Sequence, residues 1–312
     1  MEQGVTKKKG FWYELRRHRV LYLMILPTVV YFCIFQYIPM AGVYLAFVDY
    51  NIKDGFFGSP FVGLRNFKTL FSTGVMQVLL RNTLLYNLAF LILGTIFKVF
   101  LAILLNRVTS KVLKKSVQTI SLLPYFVSYV IVATFAYLLF NSATGQFTLL
   151  MRTITGNPNF ATYSEPGVWP FIIVFVEFWK SAGYGMVIYL AALTNIDDTY
   201  YEAAKIDGAT VFQQIRFITV PMLMPTVITL TIMSLGGIVR GQMELFYQLV
   251  GTNGQLYGVT DILDTYVFRS LQGNFDVGRS TAIGLFQSLF GLAVVLIVNS
   301  LIRHYNKDYA LF

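Results

Sequence analysis

The polar groups of this chain that could act on a solute stand inside apolar surroundings. One long apolar run contains Glu177, Trp179, Lys180 and Tyr184. A carboxylate and an ammonium three residues apart share a helix face and can pair there. Indole and phenol rings stack on the apolar faces of sugar rings, while carboxylates and amides exchange hydrogen bonds with hydroxyls. Such groups are costly in lipid unless they face a cavity or a partner, so the stretch as a whole reads as the lining of a polar path. Any one of these residues alone also fits a structural ion pair or a helix interface. A second set, Arg240, Gln242 and Glu244, follows Gly236-Gly237. Arg240 and Glu244 are four apart and can pair, facing a hydrated interface between two subunits or lying beyond the hydrocarbon in water.

Bond-making chemistry has little to work with. His18 and His304 lie at opposite ends of the chain, and Cys33 is the one cysteine. Internal disulfides and cysteine metal clusters are therefore excluded, and no metal or histidine-based nucleophile site is expected. Gly-x-x-x-x-Gly-Lys-Ser/Thr is absent, so the chain has no phosphate-cradling loop. If transport runs on ATP, the nucleotide and its Mg belong to partner subunits, and this chain needs no cofactor. The net charge of +9 is spread over loop ends of a very apolar chain, which speaks for membrane topology and against nucleic acid.

The elements that must hold these groups are membrane helices. Hydrophobic residues make up 56% and charged residues 12%, with a mean hydropathy of +0.62. Soluble domains are usually about a quarter charged. The polar residues are clustered, so the fold class is an all-α polytopic membrane protein with six transmembrane helices. The spans fall at about 20–47, 78–105, 117–140, 168–193, 222–250 and 280–302. A basic segment, 1–19, precedes the transmembrane domain, 20–303, and a short tail, 304–312, follows it. The first run is too long for a signal peptide and lacks a small-residue cleavage site. Pro27 and Pro39 should bend or divide it. Lys98 should snorkel toward its end of span two. Gly183 and Gly185 allow close helix contact or a local break. A short helix is expected around 262–271.

Six spans put both ends on one side. That side carries fourteen Lys and Arg, namely Lys7, Lys8, Lys9, Arg16, Arg17, Arg19, Arg107, Lys111, Lys114, Lys115, Lys205, Arg216, Arg303 and Lys307. The other carries six, Lys53, Arg65, Lys68, Arg152, Arg269 and Arg279. The richer side is expected to be cytoplasmic, with both termini and the polar stretch of about 195–221.

That stretch has its own design. Thr199-x-x-Glu202 has the form of a capping box, and Gly208 separates two expected short helices. Val211, Phe212, Ile215 and Ile218 fall at helical spacing, and Pro221 stops that helix or starts the next. Ala203 and Ala204 leave a low surface that another protein's groove can cover. An amphipathic linker lying at the membrane surface fits the same residues.

Glu202, Ala203, Ala204, Asp207, Gly208, Ile218 and Pro221 sit in a pattern that resembles the EAA loop of ABC importer permeases. Val220 stands where that family more often has Leu. Phe35-Gln36-Tyr37-Ile38-Pro39-Met40, Phe61-Val62-Gly63-Leu64-Arg65-Asn66-Phe67, Ser121-Leu122-Leu123-Pro124 and Asp261-Ile262-Leu263-Asp264-Thr265-Tyr266-Val267 resemble carbohydrate-uptake permeases of the LplB-like subgroup. The resemblance runs over nearly the whole chain from about Tyr22. It implies a type I importer fold and a cytoplasmic coupling helix docked on an ATPase. It also implies a heterodimer with a second, related permease, two ATP-binding subunits and an extracellular solute-binding lipoprotein. The implied setting is the cell membrane of a Gram-positive bacterium, and the implied cargo is an oligosaccharide, with plant cell-wall and pectic fragments in range. An ion-coupled secondary transporter is the rival reading; it would favour two similar halves with broken helices, and no internal repeat is evident. A membrane-embedded enzyme is a third, and the supply of His and Cys is too thin for its common forms.

Overall fold

A computed structural model describes residues 17–305. Lys7, Lys8, Lys9, Arg16 and Lys307, which enter the charge count above, lie outside the described residues, as does most of the tail.

The first span, α1, Arg19–Phe47, runs unbroken. Pro39 has no N–H and crowds the carbonyl four residues before it. The helix absorbs this by widening to a π-turn over Cys33–Tyr37 and then tightening to 3-10 turns over Ala41–Phe47. Helix α2, Val75–Asn106, starts after Gly74, whose φ of +76° suits glycine. The third span is corrected. Lys111–Phe126 (α3) and Tyr129–Phe140 (α4) are separate helices bent by 92°. Ser110 caps α3 by accepting from the Leu113 N–H, so the basic residues 111–115 are helical and not a loop. Val127 and Ser128 are extended, and the Ser128 hydroxyl caps α4 by accepting from the Ile131 N–H.

Helix α5, Trp169–Leu193, is continuous through Gly183 and Gly185. Then come α6, Asp198–Ile206; α7, Val211–Leu235; α8, Met243–Val250; α9, Leu263–Asn274; and α10, Val277–Tyr305. Among the described residues five helices are long and apolar enough to cross a membrane, and six if the bent pair counts as one span.

In lipid, association rests on close packing, which favours small residues at contacts. Helix α5 shows this: it lies between α2 and α3. A Cβ on Gly183 would stand 1.9 Å from the Ser121 carbonyl oxygen of α3, so this glycine marks a backbone-to-backbone contact and not a break. One apolar cluster gathers Trp169, Ile173, Leu245, Phe246 and Leu249. Another, toward the loop at 198–221, gathers Leu105, Met186, Leu190, Leu193 and Leu223. Between them α5 carries its polar stretch, 177–185. A third cluster, with Ala46, Met76, Leu79, Leu263, Ala282 and Ile283, joins the end of α1 to α2, α9 and α10. From Arg19 to Met40, α1 is exposed on every side.

Candidate functional site: a half-cavity and an exposed loop

A cavity of about 500 Å³ opens between the two clusters on α5. Helix α2 contributes Asn87, Thr95 and Lys98, α5 contributes Glu177, Ser181 and Tyr184, and α7 with the chain beyond it contributes Ser234, Gly237 and Gln242. Phe90, Leu91, Ile188 and Met233 supply its apolar walls. A few polar groups on an apolar wall suit a solute with both hydroxyls and ring faces.

One wall is irregular backbone. Residues 236–242 leave the helix after Gly236-Gly237, and α8 begins only at Met243. Bare peptide groups at membrane depth need partners within the protein. Asn87 Nδ2 donates to the carbonyls of Ile238 (2.7 Å) and Arg240 (3.0 Å). Gln287 Nε2 donates to Val239 O (2.9 Å), and the Gly241 N–H donates to Asp264 Oδ2 (2.6 Å). A Cβ on Gly241 would meet the tip of the Ile262 side chain, Cδ1, at 2.2 Å and Asp264 Oδ2 at 3.1 Å, so residues 262–264 pack closely on the glycine here. The helical spacing assumed for Arg240 and Glu244 does not exist. Arg240 is on the unwound stretch and exposed, Glu244 is in the first turn of α8, and they form no ion pair among the described residues. Neither lines the cavity, whereas Gln242 does.

Glu177 and Lys180 also part company. The Tyr129 hydroxyl lies 3.0 Å from Gln242 Oε1 and 3.3 Å from Glu177 Oε2, and its one proton serves either acceptor. Lys180 points the other way, into the bend between α3 and α4. Its Nζ donates to the carbonyls of Pro124 (3.3 Å), Tyr125 (2.9 Å) and Val127, and lies 4.7 Å from the Tyr129 ring centroid. A helix end leaves carbonyls without partners, and here one ammonium serves three of them. Lys180→Met should therefore destabilise the assembled protein by about 1–3 kcal/mol. The expected readout is a lower thermal midpoint in detergent, with Lys180→Arg retaining part of the loss. An unchanged midpoint for the methionine variant would remove the pin.

Tyr184 edges the cavity and stacks on Tyr125 at 4.7 Å and 11°. Trp179 faces away from it, in an exposed stripe with Phe171 and Phe175 at four-residue spacing. Lys98, expected to snorkel, instead turns inward to the cavity. The signal was in Gly185 on α5, which leaves room for its side chain.

The loop after α5 is the second part of the site. The cap of α6 is corrected: Asp197, not Thr199, is the N-cap, and its carboxylate accepts from the Thr199 N–H at 2.9 Å. That backbone bond, with the Thr199 hydroxyl, holds the Asp197 carboxyl below the usual carboxylate range. The capping box lies further on, where Thr210 and Gln213 satisfy each other's N–H groups at 3.3 and 2.7 Å. Gly208, at φ +76°, turns the chain between α6 and α7. Helix α7 then passes through a π-turn, Ile215–Thr219, so Pro221 starts a straight α segment within one continuous helix. Glu202, Ala203, Asp207, Gly208 and Pro221 are exposed and Ala204 is half-buried. Ile206, Val211, Phe212 and Phe217 are exposed too, Ile206 by 87%.

Two ties bind this loop to the spans. Arg107, just past α2, donates from Nη1 to Gln214 Oε1 (3.1 Å) and stands over the Tyr201 ring. The Tyr201 and Thr219 hydroxyls are 3.0 Å apart. Among the described residues no group of three or more His, Cys, Asp or Glu could hold a metal ion.

Comparison with known proteins gives concordant results. The family described as "Binding-protein-dependent transport system inner membrane component" matches residues 91–310. Protein LplB of Bacillus subtilis (strain 168) is 36% identical over 308 residues, 97% of this chain and 95% of that one. The polygalacturonan/rhamnogalacturonan transport system permease protein YteP of the same organism is 36% identical over 304 residues, 97% of this chain and 93% of that one. A solved chain of a bacterial ABC transporter involved in import of the acidic polysaccharide alginate superposes with a TM-score of 0.84 at 32% identity, covering 95% of this chain and 99% of that one. The same kind of transporter, in complex with an alginate pentasaccharide-bound periplasmic protein, gives a TM-score of 0.83 at 32% identity, with 96% and 99% covered.

Proposed function

This chain belongs to the inner membrane components of binding-protein-dependent transport systems, and from that premise we propose how its parts divide the work. It is the permease component of an ABC importer for sugars or polysaccharides, a transport subunit and not a catalyst. The half-cavity around Glu177, Tyr184 and Gln242 forms one side of the translocation path, and a second, related permease closes it. Two ATP-binding subunits hold ATP and Mg, and an extracellular solute-binding lipoprotein delivers the cargo. The cargo is an oligosaccharide; the relative named for polygalacturonan and rhamnogalacturonan transport supports pectic fragments among the candidates. The Lys and Arg distribution supports a cytoplasmic position for both termini and the 198–221 loop. The organism of the relatives supports a Gram-positive cell membrane.

The observation that carries the coupling role is the loop itself. Glu202, Ala203 and exposed apolar side chains present a surface with none of the described residues upon it, while Arg107–Gln214 and Tyr201–Thr219 fasten its inner side to α2 and α7. A push on α6 is thereby delivered to helices that wall the cavity. Glu202→Arg should leave the complex inserted, weaken ATPase retention and lower ATP-driven uptake. Co-purification with the products of neighbouring genes is the direct check. Sugar accumulation by this chain reconstituted alone, without nucleotide, would instead establish the ion-coupled secondary transporter, a reading that leaves the exposed loop unexplained.

A further inference from the structure

Lys98 is built into its position. Its stem lies across the bare backbone of α5, where a Cβ on Gly185 would stand 2.4 Å from Cδ and 2.8 Å from Cγ. On its own helix, a Cβ on Gly94 would be 3.8 Å from Nζ. The glycine on α5 thus opens room for this lysine, which lines the cavity. An ammonium offers three donors, and leaving it without an acceptor at this depth is costly. Lys180 has three carbonyls. Lys98 has no hydrogen bond or ion pair among the described residues. Glu177, which lines the same cavity, acts on it through the electrostatic field without ion-pair contact, and its carboxylate lies 3.3 Å from the Tyr129 hydroxyl.

A cation held out in a solute path, with no ion-pair partner among the described residues, is a receptor for an anion. We propose that Lys98 is a specificity-determining residue that receives the carboxylates of acidic oligosaccharides, so that the cargo class is sugar acids in preference to neutral sugars. This rests on the sugar-importer reading.

The test uses the whole importer with its binding protein and two labelled probes of equal length, an oligogalacturonate and the same oligomer with its carboxyls reduced to alcohols. Wild type is expected to take up the acidic probe. Lys98→Met should lower that uptake about tenfold, relative to uptake of the reduced probe and to the amount of assembled complex. Lys98→Arg should restore most of it. Acidic uptake by Lys98→Met at the wild-type rate overturns the proposal. So does a fall that strikes both probes equally, as expected if an acidic residue of the second permease pairs with Lys98. A wild type that takes only the reduced probe overturns it as well, while leaving the importer reading in place. Failure of that reading shows differently, as a chain that retains no ATPase.

Discussion

Gly208→Val is expected to cut ATP-driven uptake by about tenfold or more while the chain remains inserted and assembled. The turn between α6 and α7 sits at φ +76°, where a β-branched residue is strained by about 1–2 kcal/mol. None of the described residues lies within 4 Å of the added Cβ, so the strain is in the backbone and not in a clash. The chain relieves it by changing the angle between α6 and α7. Because α6 bears Glu202 and Ala203 and α7 walls the cavity, that angle is the geometry through which a push travels. Hydrolysis by the complex should persist and lose its response to cargo. Gly208→Asn, which tolerates the left-handed region, should keep most of the uptake. A valine variant that transports like wild type would end the coupling assignment.

The second large effect is on assembly. Gly183→Ala should lower the thermal midpoint of the purified protein by at least about 5 °C, and Gly183→Leu should leave little folded protein in the membrane. The added Cβ would meet Ser121 O at 1.9 Å, Ser121 C at 2.4 Å and Leu122 N at 2.8 Å. All three are backbone atoms and cannot swing aside, so α3 must retreat from α5 as a body. That retreat also draws Pro124 and Tyr125 away from Lys180, adding a polar loss to a packing loss. Gly167→Ala is the control, since nothing stands within 4 Å of its added Cβ. Equal midpoints for the Gly183 and Gly167 alanine variants would show that the close approach of α3 and α5 is not needed.

The spans were legible in the sequence because twenty or so apolar residues have few other fates. The helix pair around Gly208 was legible too, since a glycine between two capped apolar stretches is a strong stop. The bend in the third span was not, because Pro124 draws the eye while the break falls at Val127 and Ser128, and only the serine's capping role gives it away. Arg240 and Glu244 were misplaced by carrying helical spacing through Gly236-Gly237, where the chain unwinds. The partners of Lys180, Lys98 and Glu177 depend on which helices are neighbours. Spacing within one helix made Glu177–Lys180 the obvious pair, whereas the ammonium goes to three carbonyls across the α3–α4 bend. The cavity was legible only as a polar stretch on α5, because its other walls are far away in sequence.

The corner where α1 ends has a bearing on biogenesis. Asn66 Nδ2 holds the carbonyls of Ala46 (2.9 Å) and Val48 (3.0 Å), and a Cβ on Gly278 would come within 2.8 Å of that same Nδ2 and 2.9 Å of Val48 O. The foot of α1 is therefore seated against the head of α10. Since that seat is missing until translation has passed Ile283, more than two hundred residues later, α1 must wait for its partner in the newborn chain, and closing this long-range contact is the natural slow event in maturation.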